Sequence, residues 1–210
     1  HHGVLFLDEL PEFNRHVLEA LREPLETGTI IISRASQRAE FPARFQLVAA
    51  MNPCPCGYLG DPSRNCRCSA EQVRRYRGRI SGPLLDRLDL QLEVPPVPAG
   101  TLARSTKTPA PTSAEVRERV TAARARQLQR QDKTNARLEA AETDEICWLS
   151  DADRCLIERA MTQLRLAARA YHRILRLART IADLEEARAI STPHLTEALG
   201  YRVLDRDTRN

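Results

Sequence analysis

The sequence predicts an α/β domain followed by an all-α domain, and the distribution of glycine and proline is the main reason. Of the 8 glycines and 13 prolines in the 210 residues, 7 glycines and 12 prolines lie in the first 111 positions, and neither type occurs from Thr112 to Thr192. Both residue types are favoured in turns and disfavoured inside helices, so strands and loops are expected first and helices second. The expected boundaries are 1–98 for the first domain, 99–112 for a linker and 113–210 for the helical domain.

Continuous apolar runs in the first half predict strands that are buried on both faces, as in a parallel sheet. One run is Val4–Leu7, which is followed by two acidic residues. The next extends from Phe45 to Met51 and ends in Asn52. A third strand is predicted from Leu88 to Val94, ahead of a proline-rich exit.

One helix and one hairpin are predicted between the first two strands. Asn14 is placed to cap a helix with leucines on one face, and Gly28 is placed to end it. The β-branched segment from Thr29 to Ser33 and the return segment from Phe41 to Arg44 flank polar residues 34–38. This pattern predicts a hairpin with its tip at residues 34–38.

The second half is predicted to contain four helical segments. Ser113 is expected to cap a long arginine-rich helix, with Glu139 to Thr143 near its end. Ser150 starts a second helix in a pattern that resembles a capping box. Apolar residues recur at helical spacing from Tyr171 to Ala182, and Thr192 precedes a proline that suits the first turn of the last helix.

Composition excludes a membrane-spanning protein and is compatible with an anionic partner. No apolar run approaches the roughly 20 residues that a membrane-spanning helix needs, and no signal peptide opens the chain. A cytoplasmic protein without a membrane partner is therefore expected. The formal net charge is +4, and residues 101–210 account for it with 20 basic and 16 acidic side chains. The chain begins at His1 without a methionine, so it is expected to be part of a longer protein.

Polar residues at the ends of the first two strands are candidates for phosphoryl-transfer chemistry. After a buried strand, Asp8 can hold Mg²⁺ and Glu9 can polarise an attacking water. The alternative is that both acids simply meet solvent where the strand ends. Asn52 can contact the same water or a γ-phosphate, or it can form a turn before Pro53.

Two arginines are candidates for phosphate contact. Arg87 lies on a turn just before the predicted third strand, where its planar guanidinium can reach a phosphate of a neighbouring subunit; the alternative is a surface ion pair with Asp86 or Asp89. Arg169 lies at the start of a helix in the second domain, and the alternative for it is a solvated helix face.

Four cysteines form a candidate zinc site. Cys54 and Cys56 are separated by nine residues from Cys66 and Cys68. Four thiolates that converge in a loop match tetrahedral zinc, and permanent disulfides are not expected inside cells. The alternative is a loop with reduced cysteines. The remaining two cysteines, Cys147 and Cys155, are predicted to lie in helix cores.

Considered together, these motifs resemble the magnesium-chelatase-like AAA+ ATPases, most closely their ComM/YifB group. The strings that carry the resemblance are His1 to Phe13, Ala50 to Gly57, Arg79 to Leu90, Ala168 to Leu175 and Ala178 to Leu184. The resemblance implies a partial AAA+ core followed by a helical lid, a hexameric ring, and ATP and Mg²⁺ as cofactors. It implies that Asp8 and Glu9 are the Walker B pair and that Asp8 also binds the cofactor. The resemblance also implies that Asn52 is sensor 1 and that Arg87 is the arginine finger that acts in trans. It implies that Arg169 is sensor 2 and binds the nucleotide.

Two features depart from the family pattern. Ala167 stands where the family usually has serine, and no G-x-x-x-x-G-K-[ST] phosphate loop occurs in the 210 residues. The resemblance places that loop, with a central strand, upstream of His1. This chain alone is therefore expected to lack ATPase activity.

The resemblance and the arginines together suggest DNA as the partner. The 29–44 hairpin occupies the position of the presensor 1 hairpin, so Arg34 and Arg38 at its tip are expected to bind DNA. Six arginines between residues 64 and 79 can contact phosphates or a subunit interface. The predicted function is a DNA translocase for branch migration in competence and recombination. The alternative is a chelatase subunit that remodels a protein partner for magnesium insertion into a porphyrin.

Overall fold

The computed structural model describes residues 1–34, 37–96, 110–164, 166 and 168–202. It divides into two compact units: His1–Leu88 forms the first, and the second begins at Asp89. Most of the expected linker, residues 99–109, and the C-terminal residues 203–210 lie outside the described residues. Among the described residues, no helix is both long and apolar enough to cross a membrane.

The first unit contains strands, short helices and one 3-10 turn, which confirms the mixed α/β prediction. Its elements in chain order are β1 (Val4–Leu7), a 3-10 turn (Leu10–Glu12), α1 (Arg15–Ala20), α2 (Arg22–Thr27), β2 (Thr29–Arg34), β3 (Gln37–Pro42), β4 (Gln46–Ala49), α3 (Ala70–Arg77) and α4 (Gly82–Leu85).

Strands β1 and β4 form a parallel pair, but they are not buried on both faces. Leu5 pairs with Leu47 and Leu7 with Ala49. Exposure alternates along both strands, and Val4 and Phe6 are 68% and 58% exposed. The prediction of two buried faces was wrong for this chain, because the described sheet has only these two strands and one face of the pair stays open to solvent.

The predicted third strand does not form among the described residues. Between Leu88 and Val94, Gln91 makes a single bridge to Arg202, and Leu92 and Val94 are exposed. A strand needs a run of backbone hydrogen bonds to a neighbouring strand, and the bridge at Gln91 is an isolated pair.

The predicted helix after Asn14 is present as two short helices. The Asn14 side chain accepts a hydrogen bond from the His16 backbone N–H at 2.9 Å, and Gly28 ends α2 in the left-handed region at φ 74°. The break falls at Leu21 because Pro24 has no N–H to donate to the preceding turn. The antiparallel β2–β3 hairpin is confirmed, with pairs from Thr29 with Pro42 to Arg34 with Gln37.

The second unit is helical, as predicted. Its elements are α5 (Ser113–Gln131), a 3-10 turn (Asn135–Arg137), α6 (Ala140–Ile146), α7 (Asp151–Gln163), α8 (Ala168–Leu184) and α9 (Thr192–Gly200). Thr112, not Ser113, caps α5, because its side chain bonds the backbone N–H of Glu115 and Glu115 bonds back. The stretch from Glu139 to Thr143 belongs to α6 instead of the end of α5, since α5 ends at Asp132 in the left-handed region.

The core of the second unit lies around α8 and α9, as the helical spacing predicted. Ile174, Leu175, Ala178 and Leu195 are all essentially inaccessible to solvent. Cys147 joins this core, but Cys155 is exposed, so its assignment to a helix core was wrong. Cys155 lies in the first half of α7, at a position that the described residues leave exposed.

Candidate functional site

Asp8, Glu9 and Asn52 lie at the same edge of the parallel pair. Asp8 and Glu9 follow β1 directly, and Asn52 follows β4 by three residues. The backbone continues the pairing beyond the strands, because Ala50 N–H donates to Leu7 O and Leu10 N–H donates to Ala50 O, both at 2.9 Å. The carboxyl ends of parallel strands meet at one edge, so all three residues leave the sheet at that edge.

The turn after β1 is fixed by local hydrogen bonds. Asp8 Oδ1 accepts the Glu9 backbone N–H at 2.9 Å, and Glu9 adopts the left-handed region at φ 50°, ψ 46°. For a residue with a Cβ this conformation costs about 1–2 kcal/mol. The Glu9 carbonyl then accepts the Glu12 N–H at 2.8 Å, which starts the 3-10 turn. Both acidic side chains are exposed, and such oxygens suit Mg²⁺, which keeps several of its waters when it binds proteins.

The donor set fits one part of a nucleotide site. Exposed carboxylate and amide oxygens can hold Mg²⁺ and orient water, but the sequence contains no glycine-rich phosphate loop or its lysine. The residues of this chain can therefore supply the metal-holding and water-orienting groups of a phosphoryl-transfer site, but not its phosphate cradle.

Arg87 is held in place within the first unit. Its Nη1 donates to the Pro83 carbonyl at 2.7 Å, and its guanidinium forms an ion pair with Glu26 of α2. The Arg87 side chain is only 10% exposed. The pairing with Glu26 could not be read from the sequence, because 61 positions separate the two residues.

Arg169 lies on the second residue of α8, in the first turn of that helix, and it is exposed. It belongs to the second unit.

The hairpin presents a basic side chain near its tip. Arg38 is exposed and pairs with Ser33 across the ladder. Arg34 ends β2, where its backbone pairs with Gln37, but its side chain and residues 35–36 lie outside the described part of the chain.

Several arginines between residues 64 and 79 already contact protein groups. Arg64 lies over the Tyr58 ring at 5.0 Å and donates to its hydroxyl at 2.7 Å. Arg77 donates to the Pro53 carbonyl at 3.2 Å, and Arg79 donates to the Pro11 carbonyl at 3.0 Å. These arginines therefore connect parts of the first unit, in addition to any contact with an anion.

The structure brings the four predicted zinc ligands together. Their Sγ atoms all lie within 4.8 Å of one another. Cys54 is buried, and the other three are partly buried. Backbone hydrogen bonds from Tyr58 and Arg67 lower the pKa of Cys56 to about 6, whereas desolvation raises the pKa of Cys68 to about 12.

Comparisons with known proteins give two family matches and several relatives for this chain. The family model for magnesium chelatase, subunit ChlI, matches residues 1–102, and the model for the subunit ChlI C-terminal region matches residues 110–202. Competence protein ComM from Haemophilus influenzae is 55% identical over 205 residues, which is 97% of this chain and 40% of ComM. YifB from Escherichia coli is 51% identical over 207 residues, 98% of this chain and 40% of YifB. An uncharacterized protein from Mycobacterium bovis is 39% identical over 206 residues, 96% of this chain and 40% of that protein.

The chain therefore spans about 40% of the length of these relatives. The two family models together cover nearly all of it, in the same order as the α/β unit and the helical unit. The chain belongs to the magnesium-chelatase-like AAA+ family, in the group that includes ComM and YifB.

Proposed function

We propose that this chain supplies the Walker B, sensor and lid regions of a Mg²⁺-dependent ATPase that works as a hexameric DNA motor in the cytoplasm. The observation that carries the proposal is the position of Asp8, Glu9 and Asn52 at one edge of the β1–β4 pair. Carboxylates and an amide in this position suit the hydrolysis of a nucleoside triphosphate, because the metal and the attacking water both need oxygen ligands there.

Each residue has a separate task in the proposed ATPase. Asp8 would hold Mg²⁺, which neutralises developing charge on the phosphates when it is bound. Glu9 polarises the attacking water, and Asn52 orients that water or the γ-phosphate. Arg87 and Arg169 are proposed to contact the phosphates as the trans-acting finger and sensor 2, because a planar guanidinium pairs well with phosphate oxygens.

DNA is the proposed substrate of the motor. The support comes from the similarity to competence protein ComM and from the exposed Arg38 on the hairpin. Basic side chains on a projecting hairpin suit a phosphate backbone, which binds Lys and Arg without regard to sequence. The proposed process is branch migration during competence and recombination.

A second candidate function has support of its own. The matching family models are described by a magnesium chelatase subunit, so the parent protein could remodel a protein partner during magnesium insertion into a porphyrin. Fold alone does not decide between a DNA motor and a chelatase subunit. DNA binding by the intact hexamer separates the two.

The decisive experiment uses the intact protein that carries this chain. Glu9→Gln should keep ATP binding but slow hydrolysis by about 10²–10⁴-fold, because the amide retains the shape without polarising water. Glu23→Gln, an exposed carboxylate on α2, is the matched control and should leave the rate unchanged. Hydrolysis by Glu9→Gln at the wild-type rate would contradict the proposed role, and a wild-type hexamer that binds no DNA at low salt would favour the chelatase alternative.

A further inference from the structure

We propose that Cys54, Cys56, Cys66 and Cys68 bind one Zn²⁺ as a structural four-thiolate site that fixes the loop beside Asn52. The proposal goes beyond the ATPase and does not depend on it, because metal content can be measured without any turnover. Its basis is the geometry of the four sulfur atoms and the contacts of the loop that holds them.

The distances between sulfur atoms match those of a tetrahedral zinc site. Cys54 Sγ lies 3.4 Å from Cys56 Sγ and 3.7 Å from Cys66 Sγ, and Cys56 Sγ lies 3.6 Å from Cys66 Sγ. Zinc–thiolate bonds of about 2.3 Å at tetrahedral angles place neighbouring sulfur atoms about 3.8 Å apart. The Cys68 sulfur lies within 4.8 Å of the other three, so the four thiolates can surround one ion. An iron–sulfur cluster divides its thiolates among several iron atoms and needs them farther apart.

The local sequence explains how two short Cys-x-Cys segments converge. Gly57 follows the first pair in the left-handed region at φ 82°, and its N–H donates to the Cys54 carbonyl at 3.0 Å. Backbone groups of Tyr58 and Arg67 hydrogen-bond the Cys56 sulfur, as the outer shell of a metal site does. Ser69 then caps α3 directly after the second pair.

All four ligands would come from the protein, so the site has no position open for water or substrate. Such closed sites stabilise structure, whereas catalytic zinc sites keep one position free. The 17-residue loop from Pro53 to Ser69 contains no helix or strand. Its backbone N–H and C=O groups are therefore not paired in a regular hydrogen-bond pattern. A bound ion compensates for the missing core in such a segment.

The loop lies directly against the candidate sensor residue. A Cβ added to Gly57 would lie 3.9 Å from the Asn52 side-chain oxygen, which shows how close the two segments are. The Tyr76 side chain of α3 forms a hydrogen bond with the Asn52 backbone. Arg77 of the same helix donates to the Pro53 carbonyl at 3.2 Å. Zinc at the cysteines therefore fixes the turn that carries Asn52.

Metal analysis of the intact purified protein tests the proposal. Wild-type protein should contain about one zinc ion per chain after dialysis. Cys66→Ser should lose that zinc, and Cys155→Ser, which removes an exposed cysteine outside the cluster, should retain it. Zinc-free wild-type protein, or iron in place of zinc, would overturn the assignment.

Cobalt substitution keeps the test valid if Cys66→Ser fails to fold. Wild-type protein refolded with Co²⁺ should show thiolate-to-cobalt charge transfer and the intense visible bands of a tetrahedral ion, and added zinc should displace both. In the zinc-loaded protein, protease cleavage within residues 53–69 should increase on chelation. Absence of the cobalt bands, or cleavage that does not respond to chelation, would contradict a zinc-stabilised loop.

Discussion

Arg130 and Asp183 form a two-pronged ion pair inside the helical unit. Arg130 Nη1 lies 2.7 Å from Asp183 Oδ1, and Nη2 lies 2.9 Å from Oδ2. The Asp183 side chain is only 2% exposed. The pair connects the end of α5 to the end of α8, and parallel hydrogen bonds of this kind are among the strongest that side chains form.

Two further donors satisfy the same carboxylate. Asn135 Nδ2 donates to Asp183 Oδ2 at 2.8 Å, and Arg179 Nη2 lies 3.1 Å from Oδ1. Arg179 is itself buried and also donates hydrogen bonds to the carbonyls of Ala187 and Arg188. A buried carboxylate is tolerated only when donors surround it, so this cluster fixes how the helices meet.

Asp183→Asn should destabilise the helical unit by about 3–5 kcal/mol, because it leaves the buried Arg179 without its countercharge. Glu118→Gln on the exposed face of α5 is the matched control and should change stability by less than about 0.5 kcal/mol. Hydrogen exchange of the α8 amides in the intact protein measures the effect locally. Equal protection in both variants would show that the cluster contributes little.

Stability of the helical unit should also depend on pH through Asp183. Burial acts to raise the pKa of Asp183, but hydrogen bonds from Arg130 and Asn135 outweigh it and hold that pKa below its usual value. A lowered pKa stabilises the folded state above the unfolded value of about 3.9, and this stabilisation is lost as the pH falls through the folded value. The difference in unfolding free energy between wild type and Asp183→Asn should therefore shrink below about pH 4. A difference that stays constant in acid would contradict the assigned pKa.

Leu175→Ala should destabilise the helical unit by about 2–5 kcal/mol, because Leu175 is fully buried on α8 and its truncation leaves a cavity. Val116→Ala removes apolar atoms from an exposed position on α5, so its effect should stay within about 0.5 kcal/mol. Thermal unfolding followed by circular dichroism measures both. A small loss for Leu175→Ala would indicate that the core collapses around the missing side chain.

Arg87→Ala should abolish ATP hydrolysis by the intact protein, and mixing with Glu9→Gln subunits should restore part of it. The mixed ring would hold sites that combine an intact Glu9 with an intact Arg87 from the neighbour. Glu26→Gln removes the charge that pairs with Arg87 but keeps the guanidinium, so it should retain hydrolysis. If Arg87 serves only its ion pair with Glu26, both variants will lose the same activity and mixing will rescue neither.

Replacing Arg34 and Arg38 together with alanine should weaken DNA binding by the intact protein without affecting basal ATPase activity. Each lost phosphate contact should reduce the slope of log affinity against log salt by roughly 0.7–0.9. Arg117→Ala with Arg119→Ala makes the same change of charge on exposed positions of α5 and serves as control. Equal slopes for the two double variants would place the DNA-binding surface elsewhere.

Features that depend on neighbouring residues could be predicted from the sequence. Asn14 and Ser150 cap helices as expected, since a cap needs only its own side chain and the next backbone N–H groups. The hairpin from residue 29 to 42 also follows from a local strand-like pattern. The apolar face of α8 follows from apolar residues at helical spacing. The candidate site at the ends of β1 and β4 was predictable for the same reason, because polar residues that follow apolar runs mark strand ends.

Contacts between distant segments were decided only by the tertiary structure. The pairing of Arg87 with Glu26 joins residues 61 positions apart, and the pairing of Arg130 with Asp183 joins residues 53 positions apart. The third predicted strand shows the converse, since its apolar residues suit a strand but Leu92 and Val94 stay exposed. A strand or a buried charge is stable only when a partner from another segment satisfies it, and local sequence carries the preference for such a structure but not the partner.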